Sequence, residues 1–161
     1  MSQQHYRALQ AFFLGGPVNR FFAPTIRIGE GESAVSMTIG EQFFHAAGAI
    51  HGAVYFKVLD DAAFFAANSL EQEFFLLTTT FTTYLTRPVS EGVLRAEGKV
   101  VNRNRTQTIA EAVAFDSQDR EVARGNGLFV RSKKRLLDMP VYARALGKEP
   151  SPGPSPKRSG K

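Results

Sequence analysis

The chain has no cysteine and no tryptophan among its 161 residues. The missing thiol excludes a disulfide framework, a cysteine nucleophile and a thiolate metal site. It fits the cytoplasm without requiring it. Long apolar runs are missing too. Nothing approaches the roughly 18 apolar residues of a membrane span. The first ten residues carry charge and amides where a signal peptide would carry an apolar core. The protein is therefore expected to be soluble and cytoplasmic, with no membrane partner. Histidine is scarce, and His5, His45 and His51 lack ligand spacing, so neither a metal nor a cofactor is expected. The Gly-x-Ser-x-Gly elbow, the P-loop and the His-Glu-x-x-His signature are absent.

What is present begins with charge. The formal net charge is +5. Arg144, Lys148, Lys157, Arg158 and Lys161 follow Pro140 with one acid, Glu149, so only +1 remains for residues 1–139. Such a body offers little excess charge for phosphate neutralisation, and no nucleic-acid partner is expected. The length suits one domain. We place it at residues 1–139, followed by a basic Pro/Ser/Gly-rich tail at 140–161. The end of that tail, GKEPSPGPSPKRSGK, has nothing apolar to bury and is expected to be disordered.

Along the body, Leu9, Phe12 and Phe13 at helical spacing predict a short helix over Gln4–Leu14, stopped by Gly15-Gly16-Pro17. Two β-like runs follow, Thr25–Gly29 and Ala34–Ile39, joined by a tight turn. Ile50–Leu70 is the longest helical candidate. Val54, Val58, Leu59, Ala62, Phe65 and Ala66 fall on one side at about 100° per residue. The alanines would let a sheet approach closely. Phe74–Thr86 then reads as a strand of period two, with Phe75, Leu77, Phe81 and Leu85 as core face and Leu76, Thr78, Thr80, Thr82, Tyr84 and Thr86 as the more polar face. Further strands are predicted at Gly92–Asn102, Thr106–Phe115 and Glu121–Val130, and an antiparallel meander is the economical connectivity. The fold class is α+β, with a long helix packed on an antiparallel sheet.

The segment His45–Ala66, HAAGAIHGAVYFKVLDDAAFFA, carries the most chemistry. It resembles the signature of phenylacetate-pathway-type (PaaI-like) acyl-CoA thioesterases of the hot-dog-fold superfamily. Their pattern is His-Gly-Gly at the start of the central helix, an Asp nine residues after the His, then small residues. Here His51-Gly52-Ala53, Asp60, and Ala62 with Ala63 take those places. The following strand ends in Tyr84-Leu85-Thr86-Arg87-Pro88, similar to the aromatic-to-proline ending of the family. The resemblance covers about Phe43 to Val130 and implies a hot-dog fold, a long central helix wrapped by an antiparallel sheet.

It also implies a function: hydrolysis of an acyl-CoA or related thioester, the coenzyme A being part of the substrate. By this analogy the Gly52 N–H polarises the carbonyl. A glycine at a helix start suits that task, because the first N–H groups lack partners, the dipole is positive there, and no Cβ blocks approach. Asp60 would be general base or nucleophile. Its position, about 160° round the helix from Ala62, would by itself read as solvated surface. Asp61 is its rival, read instead as a structural ion pair. Thr78, eighteen residues after Asp60, stands where relatives often carry a water-positioning Ser or Thr, with Thr80 its competitor. His45 replaces an Asn common in relatives, as a donor or as a cap of its own loop. His51 is read as mainly structural beside the substrate, and Ala53 narrows the space there. Phe56 is a candidate for the acyl pocket, although core packing is the default for phenylalanine. Arg103 and Arg105 would lie near the CoA phosphates. Relatives form homodimers by continuing one sheet across two chains, and often homotetramers. An alternative is a non-catalytic acyl-CoA-binding sensor or carrier.

Overall fold

The computed structural model describes residues 2–150. Helix α1 (Gln3–Leu14) starts at Ser2, whose side chain accepts from the His5 N–H and satisfies one orphan donor of the first turn. It buries Tyr6, Leu9 and Phe13 and stops at Gly15. A single turn, α2 (Asn19–Phe22), leads into the hairpin of β1 (Thr25–Gly29) and β2 (Glu32–Thr38). Gly31 has φ +69°, a left-handed conformation that suits glycine in so tight a turn. Helix α3 (Gly52–Ser69) follows, then β3 (Phe74–Leu85), β4 (Val93–Arg103), β5 (Gln107–Phe115) and β6 (Glu121–Arg135). The helix and the sheet form two layers, as the periodicity predicts. All six residues of the expected apolar stripe on α3 are buried. No helix among the described residues is long and apolar enough to cross a membrane.

The close approach foreseen from the alanines takes a definite form. Ala62, Ala63, Ala66 and Ala67 are fully buried, and Ala96, Ala110 and Ala114 face them from the sheet side of the core. Gly98 of β4 lies directly against the helix backbone at Ala62 and Ala63. Ser33 of β2 donates to the Ala62 carbonyl at 2.7 Å. Small residues on both layers thus bring helix and sheet backbones together.

Two expectations about the sheet are corrected. The order is β1-β2-β4-β5-β6-β3, all neighbours antiparallel. Only β4, β5 and β6 form a meander. β3 pairs with β6 rather than β4, so it crosses to the far edge. Local turn signals cannot reveal this, because the partner of β3 is set by which edge α3 leaves open. The second correction concerns phase. β3 does not keep one alternation along its length. Thr78 pairs with Phe129 and Thr80 with Leu128, so Thr79 is an extra residue in a β-bulge. Its hydroxyl donates to the Leu128 carbonyl at 3.0 Å. Leu76, expected on the polar face, is 3% exposed, while Leu77, expected in the core, is 48% exposed.

The C-terminal boundary also moves. Pro140–Ala145, placed with the tail on composition, forms helix α4 and buries Tyr142 and Ala143. Proline is favourable at its first position, where no N–H is needed. Residues 151–161 of the expected disordered tail lie outside the described residues.

Tyr142 ties α4 to the core. Its hydroxyl donates to Nδ1 of the buried His5 at 2.7 Å, and the His5 Nε2–H donates to the Asn68 carbonyl at 3.1 Å. This arrangement requires a neutral imidazole. Burial lowers the His5 pKa below 6.5, against the opposing pull of the Asn68 and Ser69 backbone and of Glu71. The unfolded chain therefore binds more protons below pH 6.5, and the contribution of His5 to stability is lost as pH falls through that value. Wild type is expected to exceed His5→Ala in unfolding free energy at neutral pH, with the difference shrinking on acidification. Urea titrations of both proteins at a series of pH values check this, and a pH-independent difference contradicts it.

Candidate active site

The bulge in β3 organises the site. Across a regular strand, Thr78 and Phe81 would point to opposite faces, since side chains alternate. The extra residue puts both on the face turned to α3. Three rungs result, running antiparallel. The Thr78 hydroxyl donates to Asp60 Oδ1 at 3.0 Å. The Phe81 ring meets the Phe56 ring edge-on at 5.7 Å between centroids. Leu85 reaches the open side of Gly52, its Cδ1 only 3.2 Å from where a Cβ would stand. Gly52, Phe56 and Asp60 are four residues apart and share one side of the helix. The outcome is a seam along which β3 touches α3 at three points, with the Asp60–Thr78 pair at one end, Gly52 at the other, and Phe56, 44% exposed, between them.

Asp60 is partly buried, and burial raises its pKa above the ordinary carboxylate value. The Thr78 hydrogen bond and the Lys57 charge pull the other way without cancelling it. Asp61 differs in kind. It forms an i,i+4 ion pair with Lys57, whose ammonium also lies over the rings of Phe13 and Phe22. Burial still pushes the Asp61 pKa up to about 6, outweighing the lysine. Asp61 is thus committed to a structural pair, while Asp60 keeps Oδ2 free of protein donors among the described residues.

At the other end of this seam, His51 caps α3. Its Nδ1 accepts from the Ala53 N–H at 3.0 Å and its carbonyl from the Val54 N–H at 2.9 Å. Among the described residues the Gly52 N–H has no acceptor, which leaves it to project from the positive end of an 18-residue helix. An open cleft of about 320 Å³ lies there, lined in part by His45, Gly52, Tyr55, Leu85 and Arg87. His45 Nδ1 accepts from the Ala47 N–H at 3.1 Å, so the neutral ring carries its proton on Nε2. It caps its own turn and still has one donor to offer. A larger hollow of about 490 Å³ on the outer face of β1, β2, β4 and β5 touches none of the candidate residues.

The structure therefore brings Asp60 and Thr78 into contact at one end of the seam and sets Phe56 against Phe81 beside them. At the other end it places Gly52 with His45 on the cleft, next to His51, which holds the Ala53 N–H. It separates others. Thr80 lies beyond the bulge, on the face away from Phe81, and Thr78 rather than Thr80 meets Asp60. Arg103 ends β4 and Arg105 sits in the β4–β5 turn, past the far end of α3, where Arg103 approaches the Glu71 carboxylate at 3.8 Å beside Arg131 at 2.6 Å. That is roughly 27 Å of helix away from Gly52. Sequence reasoning missed Tyr55, whose hydroxyl donates to the Arg87 carbonyl at 2.8 Å and ties the first turn of α3 to the segment after β3. Phe81, expected on the core face, does pack against the core, whereas Leu85, expected there too, is exposed beside Gly52. No sequence signal marks the bulge that brings Thr78 onto the same face as these two.

Comparison with known proteins places this geometry. Residues 47–123 match the family model of the thioesterase superfamily. No functionally curated protein matches the chain in sequence. Among solved structures, the PaaI protein from the phenylacetic acid degradation operon of E. coli superposes with a TM-score of 0.76 at 20% identity, covering 83% of this chain and 97% of that one. A thioesterase family protein from Silicibacter pomeroyi gives 0.71 at 26% identity, covering 78% and 96%. A thioesterase from Haemophilus influenzae gives 0.68 at 14%, covering 74% and 85%. These likenesses concern the six-stranded sheet around a long helix, and the matched segment contains His51, Gly52, Asp60 and Thr78. Residues 47–123 thus carry the thioesterase-superfamily pattern, and the chain has a PaaI-like hot-dog fold.

Proposed function

We propose that this protein hydrolyses an acyl-CoA or related thioester, with Asp60 as general base or nucleophile and the Gly52 N–H polarising the carbonyl. The reading is carried by one observation, the Thr78–Asp60 hydrogen bond on the side of α3 that also carries Gly52. Thr78 holds one carboxylate oxygen and leaves the other for water or for the thioester carbon. The helix terminus supplies the donor for charge developing on the carbonyl oxygen. As general base, Asp60 takes a proton from the water that adds to the carbonyl carbon, the C–S bond of the tetrahedral species breaks, and that proton passes to the departing thiolate. As nucleophile, Asp60 itself displaces the thiolate to give a mixed anhydride, which water then hydrolyses to the free acid while supplying the thiol's proton.

Within one chain, Gly52 and Asp60 lie eight residues apart, about 12 Å along the helix axis. A single carbonyl cannot sit within about 3 Å of both. The reading therefore needs a homodimer in which Gly52 of one protomer works with the carboxylate of the other. The free edge of β3 is the place for it, with Tyr84 57% exposed and Leu77 48% exposed. Arg103 and Arg105 are assigned to the CoA phosphates, and Phe56 to the acyl group.

The test is a free-thiol release assay over a panel of acyl-CoA esters, run beside light scattering. Thiol release above background from a dimer or larger assembly is expected for at least one ester. Tight acyl-CoA retention without release at any chain length would instead identify a binding protein.

A further inference from the structure

β3 is held to the rest of the sheet on one side only, by β6, and its register is interrupted on both sides of the stretch Leu76–Thr78. Three consecutive pairs remain between the irregularities, Leu76 with Arg131, Leu77 with Val130 and Thr78 with Phe129. The pairs with β6 set the register of β3 within the sheet, but the three at Leu76–Thr78 lie between two irregularities, and a local shift of one residue there would turn Thr78 away from α3. The sheet alone does not tie this stretch to the helix that carries Asp60.

Asn68 is placed to do so. Its side chain is wholly buried at the last turn of α3, eight residues beyond Asp60 on the same rigid helix. Its amide bonds to the start of β3 and the turn before it. Nδ2 donates to the Glu71 carbonyl at 3.2 Å and the Phe74 carbonyl at 3.4 Å. Oδ1 accepts from the Leu76 N–H at 3.2 Å. A buried amide is costly unless bonded, so this geometry resists displacement. Leu76 and Thr78 are two residues apart and turn to the same face. Behind it, the Asn68 carbonyl takes the His5 Nε2–H, and His5 takes the Tyr142 hydroxyl, so α1 and α4 back the turn that presents the amide. Glu71 fastens the same turn by accepting from the Glu73 and Phe74 N–H groups at 2.9 and 3.2 Å.

We infer that Asn68 is a positioning residue: it ties β3 to the helix that carries Asp60 and so sets the Thr78 hydroxyl against the Asp60 carboxylate. This deepens the thioesterase reading and rests on it for its catalytic meaning, but the geometric claim can be tested without substrate. The Thr78 hydroxyl favours the ionised carboxylate, so losing it moves the Asp60 titration midpoint upward.

The experiment follows the Asp60 carboxylate by ¹³C NMR through its titration in wild type, Asn68→Ala, Asn68→Ser, Thr78→Val and the Asn68→Ala/Thr78→Val double variant. Thr78→Val should raise the midpoint. Folded Asn68 variants should raise it too, and the double variant should go no higher than Thr78→Val alone. Asn68→Ser keeps a small polar group and is read where Asn68→Ala fails to fold. A midpoint left at the wild-type value in the folded Asn68 variant, or in Thr78→Val, overturns the inference. Thiol release by the same proteins should show kcat reduced about tenfold to a hundredfold, with KM within about twofold. Wild type that releases no thiol would remove the hydrolase reading and leave the titration result standing.

Discussion

Replacing Asp60 by Asn is expected to lower kcat for thioester hydrolysis by about 10² to 10⁴-fold, the range over which general-base catalysis contributes, while the protein stays folded. The amide is nearly isosteric and its oxygen can still accept from Thr78, so the contact between α3 and β3 is kept. It cannot take a proton from water. Stability should be unchanged or higher at neutral pH. Burial raises the Asp60 pKa in the folded protein, so ionisation favours the unfolded chain. Stability from this group is present below the ordinary carboxylate pKa and is lost as pH rises through the raised one. The same sign governs activity in the opposite sense, since hydrolysis needs the carboxylate. In wild type, kcat/KM should rise with pH through the raised pKa of Asp60 and then level off. Asp61→Asn, which alters the ion pair with Lys57, should keep most activity. Full activity of Asp60→Asn in the thiol assay would exclude this residue from the reaction.

The second large effect concerns the fold. Gly98→Ala is expected to destabilise the protein by about 3 kcal/mol, the upper part of the ordinary range for overpacking. Most overpacked sites relax by turning a side chain. Here a methyl would run into the Ala62 carbonyl and the Ala63 nitrogen, which are helix backbone at the centre of the core. Relief requires moving α3 off β4, and with it Asp60 off Thr78. Thermal unfolding should show a midpoint lowered by roughly 10 °C. Gly29→Ala makes the comparison fair, because an added Cβ there meets nothing within 4 Å. It should stay within about 0.5 kcal/mol of wild type. Equal stability of both variants would show that the helix does not rest on Gly98 as described.

Particular residues show where sequence reading succeeds. The apolar stripe on α3 could be read because helical periodicity is local and all six of its members are buried. Gly52 and Asp60 were legible as a resemblance, through their spacing from His51, and the family model covers both. Asp60 had no physical signature of its own in the sequence. Its angular position alone would have made it a surface acid, and only the presence of Thr78 opposite gives it a partner. Helix α4 was hidden for a different reason. It is only six residues long and opens on a proline that reads as a break, and its burial depends on Tyr142 finding His5 from the other end of the chain.

The order of elements, the buried side of α3 and the residue types at Gly52 and Asp60 follow from the chain read as text. They arise from interactions among residues close along it, or from a spacing that needs no folding to be seen. Three-dimensional packing decided the rest. It set β3 at the sheet edge beside β6, turned Thr78, Phe81 and Leu85 to one face through the bulge at Thr79, and fixed that face with a buried amide from α3. Each of these depends on groups far apart in sequence competing for the same hydrogen-bonding and packing positions, and that competition is resolved only when the helix and sheet meet.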